Sequence, residues 1–231
     1  MLCVMSTIGA RPAKDTMFDA FARVAASLAS GRRLEILDLL AQAPRTVEDV
    51  ATAIGQTVAN TSHHLRRLAD DGLVASEKNG RHVVYHLSSA RVYELWHALQ
   101  DATAAHHHGL PDAADAYIGD RNEIDLIDWD TLRRRLEGGD RVVIIDVRPE
   151  LEYTAGHLDG AISIPPDRLD TALDDLPTGV DVVAYCRGTY CSYADQAVRS
   201  LKAAGRAAYR LDGGYRDLDP LDEAAVPPGK T

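Results

Sequence analysis

Apolar residues recur at helical spacing from Thr16 to about Ser30, at Met17, Phe18, Phe21, Ala25 and Leu28, and the pattern resumes after Gly31 with Leu34, Ile36, Leu37 and Leu40. Two packed helices are expected. The hydroxyl-then-acid spacing of Thr46 to Asp49 marks another helix start, with its end near Gly55. The next helix begins near Thr57, turns Leu65 and Leu68 inward and stops at Gly72. A short helix, a tight turn and a second helix with polar residues at its front form a helix-turn-helix pattern. The run "LVASEKNGRHVVYHL" then supplies two β-prone segments joined at Asn79-Gly80, a pair suited to the positive φ angles of a tight hairpin. A hairpin placed there is a wing.

The pattern changes in the second half. "RVVIIDV" (141–147), "VDVVAYC" (180–186) and "AAYRL" (207–211) are short aliphatic runs separated by helical stretches such as "DQAVRSLKAAG". Strands alternating with helices predict a parallel α/β sheet. Between the halves, residues 106–123 are rich in Gly, Pro and small side chains and read as a linker. The predicted organisation is residues 1–109 (core about 16–108), a linker at 110–121, and a second domain at 122–231.

Charge follows the same division. Residues 1–109 carry 11 Lys+Arg and 11 Asp+Glu, whereas 110–231 carry 14 and 24, the source of the net charge of −10. With three cysteines in 231 residues and no leader-like start, a secreted disulfide framework is not expected. The apolar runs are also too short for a membrane helix. These features predict a cytoplasmic protein with no membrane partner.

Two sets of residues carry candidate chemistry. On the helix-turn-helix, Arg66 and Arg67, with Lys78 and Arg81 at the wing tip, suit phosphate contacts, while Asn60, Ser62 and His63 suit base edges. The partner this predicts is duplex operator DNA. In the second domain, Cys186 ends a buried strand and a helix begins near Ser192, which puts the cysteine at the carboxyl edge where parallel sheets hold their sites. The loop Arg187, Gly188, Thr189, Tyr190 and Ser192 can curl its N–H groups around the sulfur, with Gly188 permitting the curl. The helix N-terminus and the Arg187 charge favour thiolate over thiol. An exposed thiolate so stabilised is a nucleophile for sulfur.

Residues 16–108, above all "SHHLRRLADDGLV", resemble the ArsR/SmtB family of winged-helix repressors. The resemblance implies a homodimer on a palindromic operator, with "RVYELWHALQ" in the dimer-forming helix. Many members of that family respond to metals. Here "TVEDVATAI" lacks the cysteines found in that helix of the family, and His97 and His108 match the separation of two ligands but have Leu95 and Pro111 where acids are expected. An incomplete set predicts no specific metal site.

Residues 122–224 resemble the rhodanese family through "IIDVRPELEYTAGHLDGAISIP", "YCRGTYCS" and "LDGGYRDL". That resemblance maps the family's nucleophile onto Cys186, which would become a persulfide after attack on a sulfane-sulfur donor such as polysulfide or thiosulfate. Asp146, Arg148 and His157 match motif positions that read as structural. The sixth loop position, often cationic or serine in sulfurtransferases of the family, is Cys191. Cys191 is then either a resolving thiol that closes a disulfide with Cys186, or a small buried residue at a helix start.

The whole predicts an α+β winged helix-turn-helix domain followed by an α/β rhodanese-like domain with a parallel sheet, and no cofactor. Two functions compete: a dimeric repressor that senses or transfers sulfane sulfur at Cys186, or a sulfurtransferase whose winged helix serves only to dimerise. A shift in operator binding after polysulfide treatment separates them.

Overall fold

The computed structural model describes residues 11–172 and 175–218, and they fall into two compact units, one ending at Trp96 and one beginning at His97.

In the first unit, α1 (Arg11–Leu28) and α2 (Gly31–Gln42) lead into the two-residue strand β1 (Arg45–Thr46). Thr46 then caps α3 (Val47–Ala53) through a reciprocal box, its hydroxyl accepting from the Asp49 N–H and the Asp49 carboxylate accepting from the Thr46 N–H. Thr57 caps α4 (Val58–Asp70) in the same sense, accepting from the Asn60 N–H at 3.2 Å. Spacing along α4 buries Thr61, Leu65 and Leu68 on one stripe, against the core that Ile36, Leu37, Leu40 and Val50 form.

The wing is β2 (Val74–Asn79) and β3 (His82–Leu87), paired antiparallel with Asn79 opposite His82, and β1 adds to β3 to give the order β1-β3-β2. Gly80 and Arg81 are therefore the central turn residues, with Gly80 at φ 61°. Helix α5 (Ala90–His106) follows, and Trp96 donates its indole N–H to Asp38 at 3.1 Å.

Three features differ from the sequence expectation, the first being the hairpin turn, which is centred on Gly80-Arg81 and not on Asn79-Gly80. Met17, Phe18 and Phe21 on α1 are 48%, 54% and 62% exposed, so the apolar residues of this helix do not form the core that their spacing predicts. The expected linker contains a helix, α6 (Leu110–Ile118), which Pro111 can begin and Gly119, at φ 86°, ends.

In the second unit, β4 (Leu126–Ile127), α7 (Trp129–Glu137), β5 (Val142–Asp146), α8 (Glu150–Ala155), β6 (Ile162–Ser163), α9 (Leu169–Ala172), β7 (Asp181–Tyr185), α10 (Tyr193–Ala203), β8 (Ala208–Leu211) and α11 (Tyr215–Leu218) build a five-stranded parallel sheet in the order β4-β8-β7-β5-β6. Alternation along β7 decides what lies where. Val182, Ala184 and the following Cys186 join Ala194, Ala197, Val198 and Leu201 of α10 in one core, while Val183 and Tyr185 join Leu132, Leu211 and Tyr215 in the core of the opposite face. Among the described residues, no helix is long and apolar enough to cross a membrane.

Candidate functional site

The residues from Cys186 to Ser192 bridge the end of β7 and the start of α10. Cys186 and Cys191 are joined by a disulfide, with Cα atoms 6.3 Å apart, inside the span that such a bond requires. Cys186 is only 1% exposed and Cys191 half-buried. The expected exposed thiolate is therefore absent in this cross-linked form, because strand alternation turns Cys186 toward α10.

The loop's surroundings also differ from expectation. Arg187 does not offer an unpaired positive charge: its Nε and Nη2 meet both oxygens of the buried Glu152 at 2.6 to 3.0 Å. Gly188 has no positive φ, and an added Cβ would meet nothing within 4 Å. The glycine that the loop requires is Gly214. A Cβ there would overlap the Arg187 carbonyl and the Gly188 Cα, and the neighbouring Tyr215 N–H donates to the Cys186 carbonyl at 3.0 Å. The Gly-Gly of the closing turn was the available signal, but no local rule says which backbone it must admit.

Thr189 is exposed and Tyr190 half-buried. Ser192 is buried at the front of α10 and accepts from the Gln196 side chain at 3.3 Å. Sequence reasoning missed the groups behind the loop. Arg210 donates to Asp195 at 3.1 Å and to the Gly188 carbonyl at 2.9 Å, while Arg121 donates to both Asp195 oxygens and to the Thr189 carbonyl at 2.7 to 2.9 Å. Burial lowers the Arg210 pKa from its ordinary value, with Asp195 opposing that shift.

Motif residues away from the sulfur form a scaffold. Arg148 binds the buried Asp146 at 2.7 Å and lies 4.0 Å from the Tyr215 ring centre, and the Tyr185 hydroxyl donates to Asp146 at 2.6 Å. Burial, reinforced by Asp146, pushes the Tyr185 pKa well above the ordinary phenol value. His157 stacks on Tyr153 with ring centres 3.8 Å apart.

In the first unit, Asn60, His63 and Arg66 on α4 and Lys78 and Arg81 on the wing are exposed, and Ser62 is half-buried. Arg66 curls back toward the Ser62 carbonyl at 3.2 Å. Arg67 is already engaged, 3.3 Å from Asp71, whose carboxylate also receives Arg23 and the Ser27 hydroxyl. The Ser27 hydrogen bond, with smaller help from the arginines, lowers the Asp71 pKa. Burial, then the Arg33 charge, lowers that of His64 beside the exposed His63.

His97 has carboxylates of Asp101 and Asp217 at 3.3 and 3.2 Å from its two nitrogens, and His108 lies in the turn after α5. Among the described residues, no three His, Cys, Asp or Glu side chains are grouped to hold a metal.

Comparison with known proteins covers both halves. Residues 30–76 match the model of the bacterial regulatory protein, arsR family, and residues 128–219 that of the rhodanese-like domain. A Mycobacterium tuberculosis protein, HTH-type transcriptional regulator Rv0324, is 41% identical over 216 residues, 92% of this chain and 94% of its own. The chain belongs to the arsR family of bacterial regulatory proteins and carries a rhodanese-like domain. The chain is also 30% identical over 91 residues, 39% of its length and 84% of the other's, to a sulfurtransferase of Allochromatium vinosum. A solved homodimeric winged helix-turn-helix DNA-binding domain from Mycobacterium bovis is 36% identical, covering 46% of this chain and 94% of that one, with a TM-score of 0.41. For this arsR-family regulator, the winged helix-turn-helix and the parallel sheet are the two parts that its sequence predicts.

Proposed function

We propose that this arsR-family regulator is a dimeric repressor of operator DNA whose affinity is set by sulfur chemistry at Cys186. The observation that carries this reading is the pairing of Cys186 and Cys191 across a loop at the carboxyl edge of the sheet, in a chain whose other unit is a winged helix.

The steps balance. The Cys186 thiolate attacks the sulfane sulfur of a polysulfide, forming a Cys186 persulfide and releasing the shortened polysulfide as the leaving anion. The Cys191 thiolate then attacks the Cys186 sulfur, forming the Cys186–Cys191 bond and expelling hydrosulfide. Two thiols are oxidised and one sulfane sulfur is reduced, so the cross-link records exposure to the donor without another oxidant. The exposed apolar face of α1, with Leu95 of α5 41% exposed, is the surface we assign to a second copy of the chain. Exposed Asn60, His63, Arg66, Lys78 and Arg81, with Ser62 and Arg67, would meet the duplex.

The sulfurtransferase alternative is favoured by the similarity to the Allochromatium protein, and it predicts release of sulfur to an acceptor without any effect on DNA. A mobility shift on the duplex upstream of the gene tests the main reading, together with peptide mass spectrometry after polysulfide treatment. Binding by the reduced protein and added sulfur on the Cys186 peptide support it. No binding at low salt, or equal modification in Cys186→Ser, refutes it.

A further inference from the structure

Behind the cysteine loop lie two guanidinium groups and one carboxylate with no role in the chemistry so far. Asp195, fully buried on the first turn of α10, faces Arg210 from β8 and Arg121 from the segment after α6. The arginines reach past it to the loop backbone. Arg210 Nη2 donates to the Gly188 carbonyl at 2.9 Å, and Arg121 Nη2 to the Thr189 carbonyl at 2.7 Å.

A planar trans peptide points its N–H opposite to its C=O. Fixing the Gly188 and Thr189 carbonyls toward the arginines therefore turns the Thr189 and Tyr190 N–H groups the other way. Neither N–H meets an acceptor among the described residues, whereas the Cys191 N–H closes a turn onto the Gly188 carbonyl at 3.1 Å. Around the loop, Arg187 is paired with Glu152, while behind it Asp195 receives both Arg121 and Arg210, with the Asp212 charge also acting on Arg210.

We propose that Arg210 and Arg121, held by Asp195, are positioning residues that grip the outer carbonyls of the loop and so present the Thr189 and Tyr190 N–H groups to the Cys186 sulfur. This rests on the reading of Cys186 as the reactive thiol. The clamp acts when Cys186 is reduced: it orders the amides before charge develops on sulfur, so thiolate and persulfide anion are met by donors already in place. Arg121 supplies what a simple charge would not. Its fork holds both Asp195 oxygens and the Thr189 carbonyl together, a geometry that one ammonium cannot reproduce.

The test uses the full chain with Cys191→Ser, following alkylation of the Cys186 peptide against pH by mass spectrometry. Arg121→Gln, Arg121→Lys and Arg210→Lys are compared with their parent. Arg121 is 28% exposed and its loss leaves Asp195 paired with Arg210, so its variants test the clamp even if Arg210→Lys fails to fold. The expected result is a midpoint raised by about one unit in both Arg121 variants, seen as about tenfold slower alkylation below the midpoint. A parental midpoint in Arg121→Gln overturns the proposal, and one in Arg121→Lys reduces the residue to a charge and overturns its positioning role. Persulfide mass on Cys186 is measured in the same samples. Its absence from the parent would refute the functional reading, while its presence with unshifted midpoints would refute the clamp alone.

Discussion

Replacing Gly214 with alanine should damage the cysteine loop more than replacing the glycine within the loop. At Gly214 the new Cβ would overlap the Arg187 carbonyl and the Gly188 Cα, which are backbone atoms that no rotamer change can move aside. Overpacking against such a neighbour costs about 1–3 kcal/mol, and here the strain falls on the residues that follow Cys186. Gly213→Ala meets a different obstacle. Its φ of 85° disfavours a Cβ by about 1–2 kcal/mol, but the nearest atom is the movable Asp217 carboxylate. Gly188→Ala meets nothing within 4 Å at an ordinary φ, so it should be neutral or stabilise by up to about 1 kcal/mol through the unfolded chain. Urea unfolding of the three variants gives the stabilities, and the rate of Cys186 alkylation after reduction reports on the loop. The expected order of damage at the loop is Gly214, then Gly213, then Gly188. A Gly188→Ala variant more disrupted than Gly214→Ala would refute the packing argument.

The remaining predictions concern the first unit. Arg66→Ala should weaken binding to all duplexes and lower the salt slope by about one, while Arg67→Ala should also lower thermal stability because Asp71 loses a partner; titrations at several salt concentrations with melts separate the two. The Asp71 carboxyl has a folded pKa below its unfolded value, so its contribution is present above the unfolded carboxylate range, near 4, and is lost as pH falls through the folded pKa. Asp71→Asn should therefore flatten the acid limb of a stability-against-pH curve, and an unchanged limb would contradict this. Phe21→Asp should shift the protein from dimer to monomer in sedimentation, and an unaltered dimer would remove α1 from the interface.

Much of the architecture was legible because it rests on local rules. Thr46 with Asp49, Thr57, the Leu65 and Leu68 spacing and the aliphatic strands all act within a few residues of chain, and the structure places helices and strands on them. Misreadings arose where a distant group decides the outcome. The charge of Arg187 is cancelled by Glu152, 35 residues away, and Arg67 is drawn to Asp71 and its partners from α1. Arg121 stands inside the apparent linker, a stretch rich in Gly, Pro and small residues, yet it reaches the loop 68 residues later. Met17, Phe18 and Phe21 have core spacing, and only the fold shows them to be exposed. Gly188 is the glycine nearest the cysteine in sequence, whereas the close approach is made by Gly214.

The central claim is that sulfur chemistry at the loop changes operator affinity. Its most direct test is an operator titration of reduced wild type, Cys186→Ser and Cys191→Ser, each with and without polysulfide. A coupling of about 1–3 kcal/mol would change wild-type affinity about 5- to 150-fold. The account predicts that response in the wild type and its loss in both variants, since the cross-link needs both sulfurs. Equal affinity in every condition would contradict it.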